Sequence, residues 1–338
     1  MDLIYRRTNR DMTIDSGYLA HFKADFDITT DLTNDTNDFE IETVLPKDYS
    51  ELLWAENEIS CIVFVEGTEY GGEISGSIID IENNTITYTG RTWRGTLSQY
   101  IIEPPAGQDY LIVSGNIGTI LRSLPMSSFI TVENTSYSTG AYQFERYVDE
   151  NEGVTNLLKN VNLDLRATFA FTEDTLRAHL NVEMARDLRN IIEVSQDYNS
   201  KIRLRITRDG HTPKHLICLG QGELHERQVI HLYADDDWDI SQTPIVGAYP
   251  VQTYDFSGSQ DLLADGIKHY TELIGNHRQI DVTIDDLDVR LSDIIGARDH
   301  LTGEYVSAEI SRIIWRAENF GTYQIESFEY ETKVRLKG

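Results

Sequence analysis

The sequence predicts an α+β fold, mainly β, with two β-barrel-like domains and an intervening α/β region. Three observations point to it. Apolar residues alternate with polar ones in separate stretches, the spacing lengthens to three and four residues in the middle of the chain, and one short segment is echoed far downstream. A length of 338 residues, at about 150 residues per domain, also calls for more than one core. The expected divisions are 1–95 for the first β domain, 96–190 for the α/β region, and 191–338 for the second β domain, including a helix near 259–275.

Ile59 to Val65 is rich in β-branched and aromatic residues and reads as a strand. Ser77 to Thr89 reads as a hairpin broken at Asn83-Asn84, because Asn tolerates the positive φ of a tight turn. Ile79 and Ile81 alternate with polar residues on one side of that turn, as do Ile86 and Tyr88 on the other, so one face is expected to be buried. After Ser114 the residues Ile117, Ile120, Leu121 and Leu124 mark a helix stopped by Pro125. Val154, Leu157, Leu158 and Val161 mark a second, with Asp149 and Glu150 at its positive end. A third runs from Ser259 as N-cap through Leu263, Ile267, Tyr270 and Ile274, with Gly266 costing about 1 kcal/mol inside it. The echo pairs Glu69-Tyr70-Gly71-Gly72-Glu73-Ile74-Ser75 with Glu304-Tyr305-Val306-Ser307-Ala308-Glu309-Ile310-Ser311. It is either a chance match or the trace of two related β domains, and in the second case the fold is a duplicated barrel.

Composition narrows the function. Lys and Arg number 29 against 56 Asp and Glu, and a net charge of -27 argues against holding phosphate backbones, so no sequence-specific nucleic-acid binding is expected. No apolar run approaches the ~20 residues that span a bilayer, and the start lacks the apolar segment of a signal peptide, which predicts a soluble chain made in the cytoplasm with no membrane span. Cys61 and Cys218 are too few for a disulfide framework and read as buried thiols.

Candidate chemistry is sparse. His211, His215, His225 and His231 gather around Cys218 in sequence without completing a zinc spacing. The acidic runs Asp25, Asp27, Asp31, Asp35, Asp38 and Asp235, Asp236, Asp237 lack the alternating ligands, central Gly and terminal Glu of a calcium loop. Serine-hydrolase, zincin and P-loop signatures are missing, so no catalytic residue, metal or cofactor is assigned and no enzyme is expected. Lys201, Arg203 and Arg205 form a basic stripe on a strand whose other face carries Ile202, Leu204 and Ile206. That stripe is either neutralised by carboxylates of a neighbouring strand or is a subunit or partner contact.

Several segments together are similar to the tail hub proteins of siphophages and their prophages, in the short form without a C-terminal extension. The residues that carry this are Gly67-Thr68-Glu69-Tyr70-Gly71-Gly72, Thr89-Gly90-Arg91-Thr92-Trp93-Arg94-Gly95 and Ile101-Ile102-Glu103-Pro104-Pro105. Tyr142-Gln143-Phe144-Glu145-Arg146-Tyr147, Gly220-Gln221-Gly222-Glu223-Leu224, Val229-Ile230-His231-Leu232-Tyr233-Ala234-Asp235 and Ile294-Ile295-Gly296-Ala297-Arg298-Asp299, followed by Thr302-Gly303, extend it. The resemblance implies two β-barrel-like hub domains assembled as a homotrimer, a ring of pseudo-sixfold symmetry at the virion tail tip. It implies as partners the distal tail protein, the tape measure protein and tail tip or fibre proteins, with the ring gating the DNA channel. An acidic channel wall would let DNA slide without being held. Longer relatives continue past the point where this chain reaches Gly338, and the resemblance implies that host recognition and wall cleavage belong to other chains. A tail-associated cell-wall hydrolase and a carbohydrate-binding tail protein are the competing readings. The first needs paired carboxylates in a cleft, the second exposed Trp or Tyr.

Overall fold

Among the described residues, runs of β-branched and aromatic residues punctuated by turn residues give seven strands before residue 93: β1 (Ile4–Asn9), β2 (Ile14–Tyr18), β3 (Phe22–Thr29), β4 (Asp38–Val44), β5 (Ile59–Phe64), β6 (Gly71–Asp80) and β7 (Thr85–Thr92). They come from a computed structural model that describes residues 1–30, 37–194, 203–208, 210–236, 238–259, 261–275, 278–284, 288–298 and 305–334. The strands run in the order β3-β4-β7-β6-β5-β1-β2, and every neighbouring pair is antiparallel. Period-two alternation puts Phe22, Ala24 and Phe26 of β3, Phe39 and Ile41 of β4, and Ile86 and Tyr88 of β7 in the core. Phe26 stacks on Phe39 with ring centroids 5.0 Å apart. Gly72 is required here, because a Cβ at that position would lie 2.0 Å from the Arg91 carbonyl oxygen.

Residues 93–186 carry the change of period. α1 (Trp93–Leu97) follows β7 directly, capped by the Thr92 side chain, which accepts from Gly95 N. Then come β8 (Ile101–Ile102), β9 (Ile112–Asn116), α2 (Ile117–Ser123), β10 (Ile130–Val132), β11 (Ser138–Gln143), β12 (Val148–Asp149), α3 (Glu150–Val161), β13 (Leu165–Thr172) and β14 (Arg177–Met184). α2 starts at Asn116 rather than at Ser114, since the Asn116 side chain accepts from Thr119 N at 3.1 Å. Asp149 caps α3 by accepting from Glu152 N at 3.0 Å. Ile117, Ile120 and Leu121 of α2 and Val154, Leu157 and Leu158 of α3 are buried in one cluster with Trp93, Phe144, Phe169 and Phe171.

The chain divides into two compact units: Met1–Arg186 with Ile284–Asp293 and Ser311–Tyr330, and Asp187–Thr283 with Ile294–Ile310 and Glu331–Gly338. The second unit holds β15 (Glu193–Val194), β16 (Arg203–Arg208), β17 (His215–Leu219), β18 (Val229–Ala234), β19 (Ile240–Ser241), β20 (Val251–Asp255), α4 (Leu262–Gly275), β21 (Arg278–Ile284) and β22 (Ile294–Arg298), apart from the last residue of β21. A sheet in the order β19-β18-β17-β20 packs Leu216, Cys218 and Leu232 against Leu262, Tyr270 and Ile274 of α4. The α4 cap is Asp261, whose side chain accepts from Ala264 N at 3.1 Å, and not the expected Ser259. Gly266 is explained by this packing: a Cβ there would lie 2.7 Å from Cys218 Sγ.

Two long strands end the chain, β23 (Tyr305–Asn319) and β24 (Gln324–Val334). Within the first unit, Arg312–Asn319 of β23 pairs antiparallel with β3. Each echoed segment lies on a strand flanked by its sequence neighbours. Gly71 opens β6, between the preceding strand β5 and the following strand β7, and Tyr305 opens β23, antiparallel to the preceding strand β22 and beside the following strand β24.

The mainly β expectation holds, but the barrels do not. Among the described residues neither unit contains a closed barrel. Closure needs two ladder partners for every strand, and β2 pairs with β1 alone, its Ile14 and Tyr18 exposed. Gln324 of β24 reaches the Met1 carbonyl just before β1 by a side-chain hydrogen bond in place of a ladder. In the second unit α4 buries the apolar face of the four-stranded sheet, which removes the need for closure. A second correction concerns the hairpin. Ile86 and Tyr88 are buried, but Ile79 and Ile81 are 55% and 83% exposed, because β5 pairs β6 only at Gly71–Glu73, leaving the far end of β6 as an edge, and Ile81 lies in the turn beyond it. No helix of the described residues is long and apolar enough to cross a membrane.

Candidate functional site

The basic stripe is the one site assigned from sequence. Lys201 lies outside the described residues, as do the side chains of Arg203 and Arg205. Their backbone is on β16, antiparallel to β21, with Arg203 opposite Thr283 and Arg205 opposite Asp281. The register thus sets a carboxylate residue directly across from one arginine, the position from which a neighbouring strand neutralises a charge.

Of the acidic run before residue 39, Asp25 and Asp27 form ion pairs with β23. Arg312 Nε donates to Asp27 Oδ1 at 2.7 Å, and Arg316 donates to Asp25 and Glu329, each at 2.8 Å. Asp38 is pushed up by burial and by the nearby Asp27 charge. Asp31, Asp35 and Asp237 lie outside the described residues. Of the histidines, His215 and His231 share a hydrogen bond of 2.8 Å between Nε2 and Nδ1, and His215 stacks on Tyr233 at 4.3 Å. Burial and the neighbouring His231 hold the His215 pKa down. Among the described residues no three His, Cys, Asp or Glu converge to hold a metal. Cys61 and Cys218 are both buried and free, and burial pushes the Cys61 thiol up to about 12.

Three side-chain clusters were not legible in sequence. In the first, Arg166 Nη1 donates to Asp293 Oδ1 at 2.7 Å and Arg186 Nη2 to Asp293 Oδ2 at 2.6 Å, around a carboxylate that is 0% exposed. In the second, Arg94 Nε donates to Glu69 Oε1 at 2.7 Å and Nη2 to the Ala167 carbonyl at 2.9 Å. It ties together two of the segments that carry the family resemblance, whose role here is packing. Sequence separations of 127 and 25 residues hide both pairs.

The third has the order of a hydrolase relay. Glu133 Oε1 lies 2.5 Å from His179 Nδ1, and His179 Nε2 lies 2.7 Å from Thr175 Oγ1 and 3.1 Å from Thr172 Oγ1. A carboxylate orients an imidazole that could take a hydroxyl proton. Catalysis also needs a cleft for the acyl group and donors for the oxyanion. Two cavities of about 520 and 330 Å³ are lined, respectively, by residues including Tyr5, Arg7 and Tyr88, and by residues including Arg10, Trp54 and Glu73. Neither includes the threonines. The larger has one carboxylate in its wall, Glu51. In the smaller, Glu58 accepts from the Tyr49 hydroxyl at 2.8 Å and Glu73 from Ser60 Oγ at 3.3 Å.

No family model and no curated protein matches the sequence. Solved structures do. The 43 kDa tail protein of prophage MuSo2 from Shewanella oneidensis matches with a TM-score of 0.64 at 13% identity, over 98% of each chain. The chain has the fold of prophage tail proteins. A tail protein from Neisseria meningitidis MC58 shares this tail-protein fold with a TM-score of 0.60 at 13% identity, over 98% of this chain and 97% of that one. Prophage tail protein gp18 from Listeria monocytogenes EGD-e matches with a TM-score of 0.57 at 11% identity, over 100% and 96% of the two chains. The resemblance read from the sequence therefore holds at the level of the fold, and it spans the whole chain.

Proposed function

We propose that this protein is a structural component of a phage tail, acting as a hub at the distal end of the tail tube and carrying out no catalysis. The observation that supports it is the end-to-end correspondence of fold with tail proteins. Three copies would form a ring between the distal tail protein and the tip or fibres, with the tape measure protein and DNA passing through. That β6 and β23 each lie beside their sequence-neighbouring strands is consistent with this reading, in which two similar meanders per chain would give a trimer six near-equivalent docking elements. Tripling a net charge of -27 opposes assembly, and Lys201, Arg203 and Arg205 would relieve it at a subunit or partner contact. Labelling intact particles with an antibody to this chain tests the placement. Label confined to the distal tail tip is expected; label on the head or along the tube would defeat the proposal.

A further inference from the structure

Glu150 opens α3 and is 0% exposed, yet neither carboxyl oxygen has a hydrogen-bond partner. Its backbone is fixed: Glu150 N donates to the Tyr100 carbonyl at 2.9 Å, and the preceding Val148 and Asp149 pair with Ile102 and Ile101. The side chain is therefore buried with no hydrogen-bond partner to balance a charge, on the helix whose Val154, Leu157 and Leu158 belong to the apolar cluster. The elements packed on α3 offer no such balance. On β13, Arg166 Nη1 donates to Asp293 and the Leu291 carbonyl, and although its Nε and Nη2 are buried without a partner, it is burial alone, and no nearby charge, that acts on Glu150. On α1, Arg94 is committed to Glu69 and the Ala167 carbonyl. Asp149 of β12 accepts from Glu152 N, Tyr142 of β11 packs on Phe144, and β8 has no ionisable residue. On α3 itself the charged residues are Glu152 and Lys159.

We propose that Glu150 is a proton-operated latch on α3: the first turn stays seated while the carboxyl keeps its proton and unseats when the carboxyl ionises. Such a device goes beyond the structural reading of the fold and does not depend on it. Burial alone raises this carboxyl from an ordinary 4.5 to about 8. The seated state thus holds a proton that the unseated state has released, between those two values. Seating is fully favoured below the lower value and is lost as pH rises toward the upper one, by about tenfold per pH unit.

Hydrogen exchange of the full chain, corrected for intrinsic rates, tests this at about pH 5.5 and 7.5. Amides in the first turn of α3 are expected to lose roughly a hundredfold in protection over that interval, while amides of β3 and β4 hold theirs. Glu150→Gln, which cannot ionise, is expected to abolish the difference, and Glu150→Met replaces it if the glutamine variant does not fold. Unchanged protection in α3, a uniform loss over the whole chain, or the same pH dependence in the non-ionising variant would overturn the proposal.

Discussion

Asp293 shows how one residue can organise a region. Burial works against its charge, but the Arg186 hydrogen bonds and the Arg166 charge prevail, so its carboxyl sits below the usual carboxylate range. Arg166 is itself 5% exposed, so removing the carboxylate leaves a buried guanidinium uncompensated. Asp293→Ala is expected to cost about 3–5 kcal/mol in denaturant unfolding, as broken buried pairs do. A loss below about 1 kcal/mol would show that the cluster is not structural. The depressed pKa also fixes the sign of the pH effect. The contribution of Asp293 is present above the unfolded carboxylate pKa and is lost as pH falls through the lower folded value. Acid should therefore narrow the gap between wild type and variant, whereas the same acid tightens α3 through Glu150.

At the scale of elements, the β6–β7 hairpin separates apolar character from burial. Ile81 and Ile86 lie on either side of one turn, the first 83% exposed and the second 1%. Ile86→Ala is expected to destabilise by about 2–5 kcal/mol and Ile81→Ser by no more than about 0.5 kcal/mol, read from chemical denaturation midpoints. Equal losses would mean that the hairpin packs along its full length. Such elements also mark how far the sequence could be read. α2, α3 and α4 were legible because Ile117, Ile120 and Leu121, and their counterparts in the other two, repeat at helical spacing over enough turns. α1 was not, since Trp93 to Leu97 is too short to show a period. Caps shifted by two residues because Ser114 and Ser259 are good caps in isolation, while the chain places Asn116 and Asp261 where the free amides point. The openness of the sheets was hidden as well. Alternation within β2 says which way its side chains face but not whether a distant strand will pair with its outer edge. For the same reason Arg166 and Asp293, far apart in sequence, gave no local sign of meeting.

At the scale of the whole molecule, the fold of a tail protein is what supports the proposed place at the tail tip. Tail-protein architecture spans the chain, and the Glu133–His179–Thr175 relay lines neither of the two cavities described. Reversing Lys201, Arg203 and Arg205 to Glu is expected to weaken the proposed ring at low ionic strength and to be partly rescued at high ionic strength, where the added repulsion is screened, as measured by sedimentation. Assembly equal to wild type in both buffers would release the stripe from this role. The most direct measurement is electron microscopy of the protein mixed with isolated tail tubes. The account predicts a collar of three copies at one end of each tube. Tubes decorated along their length, or protein that never engages an end, would contradict it.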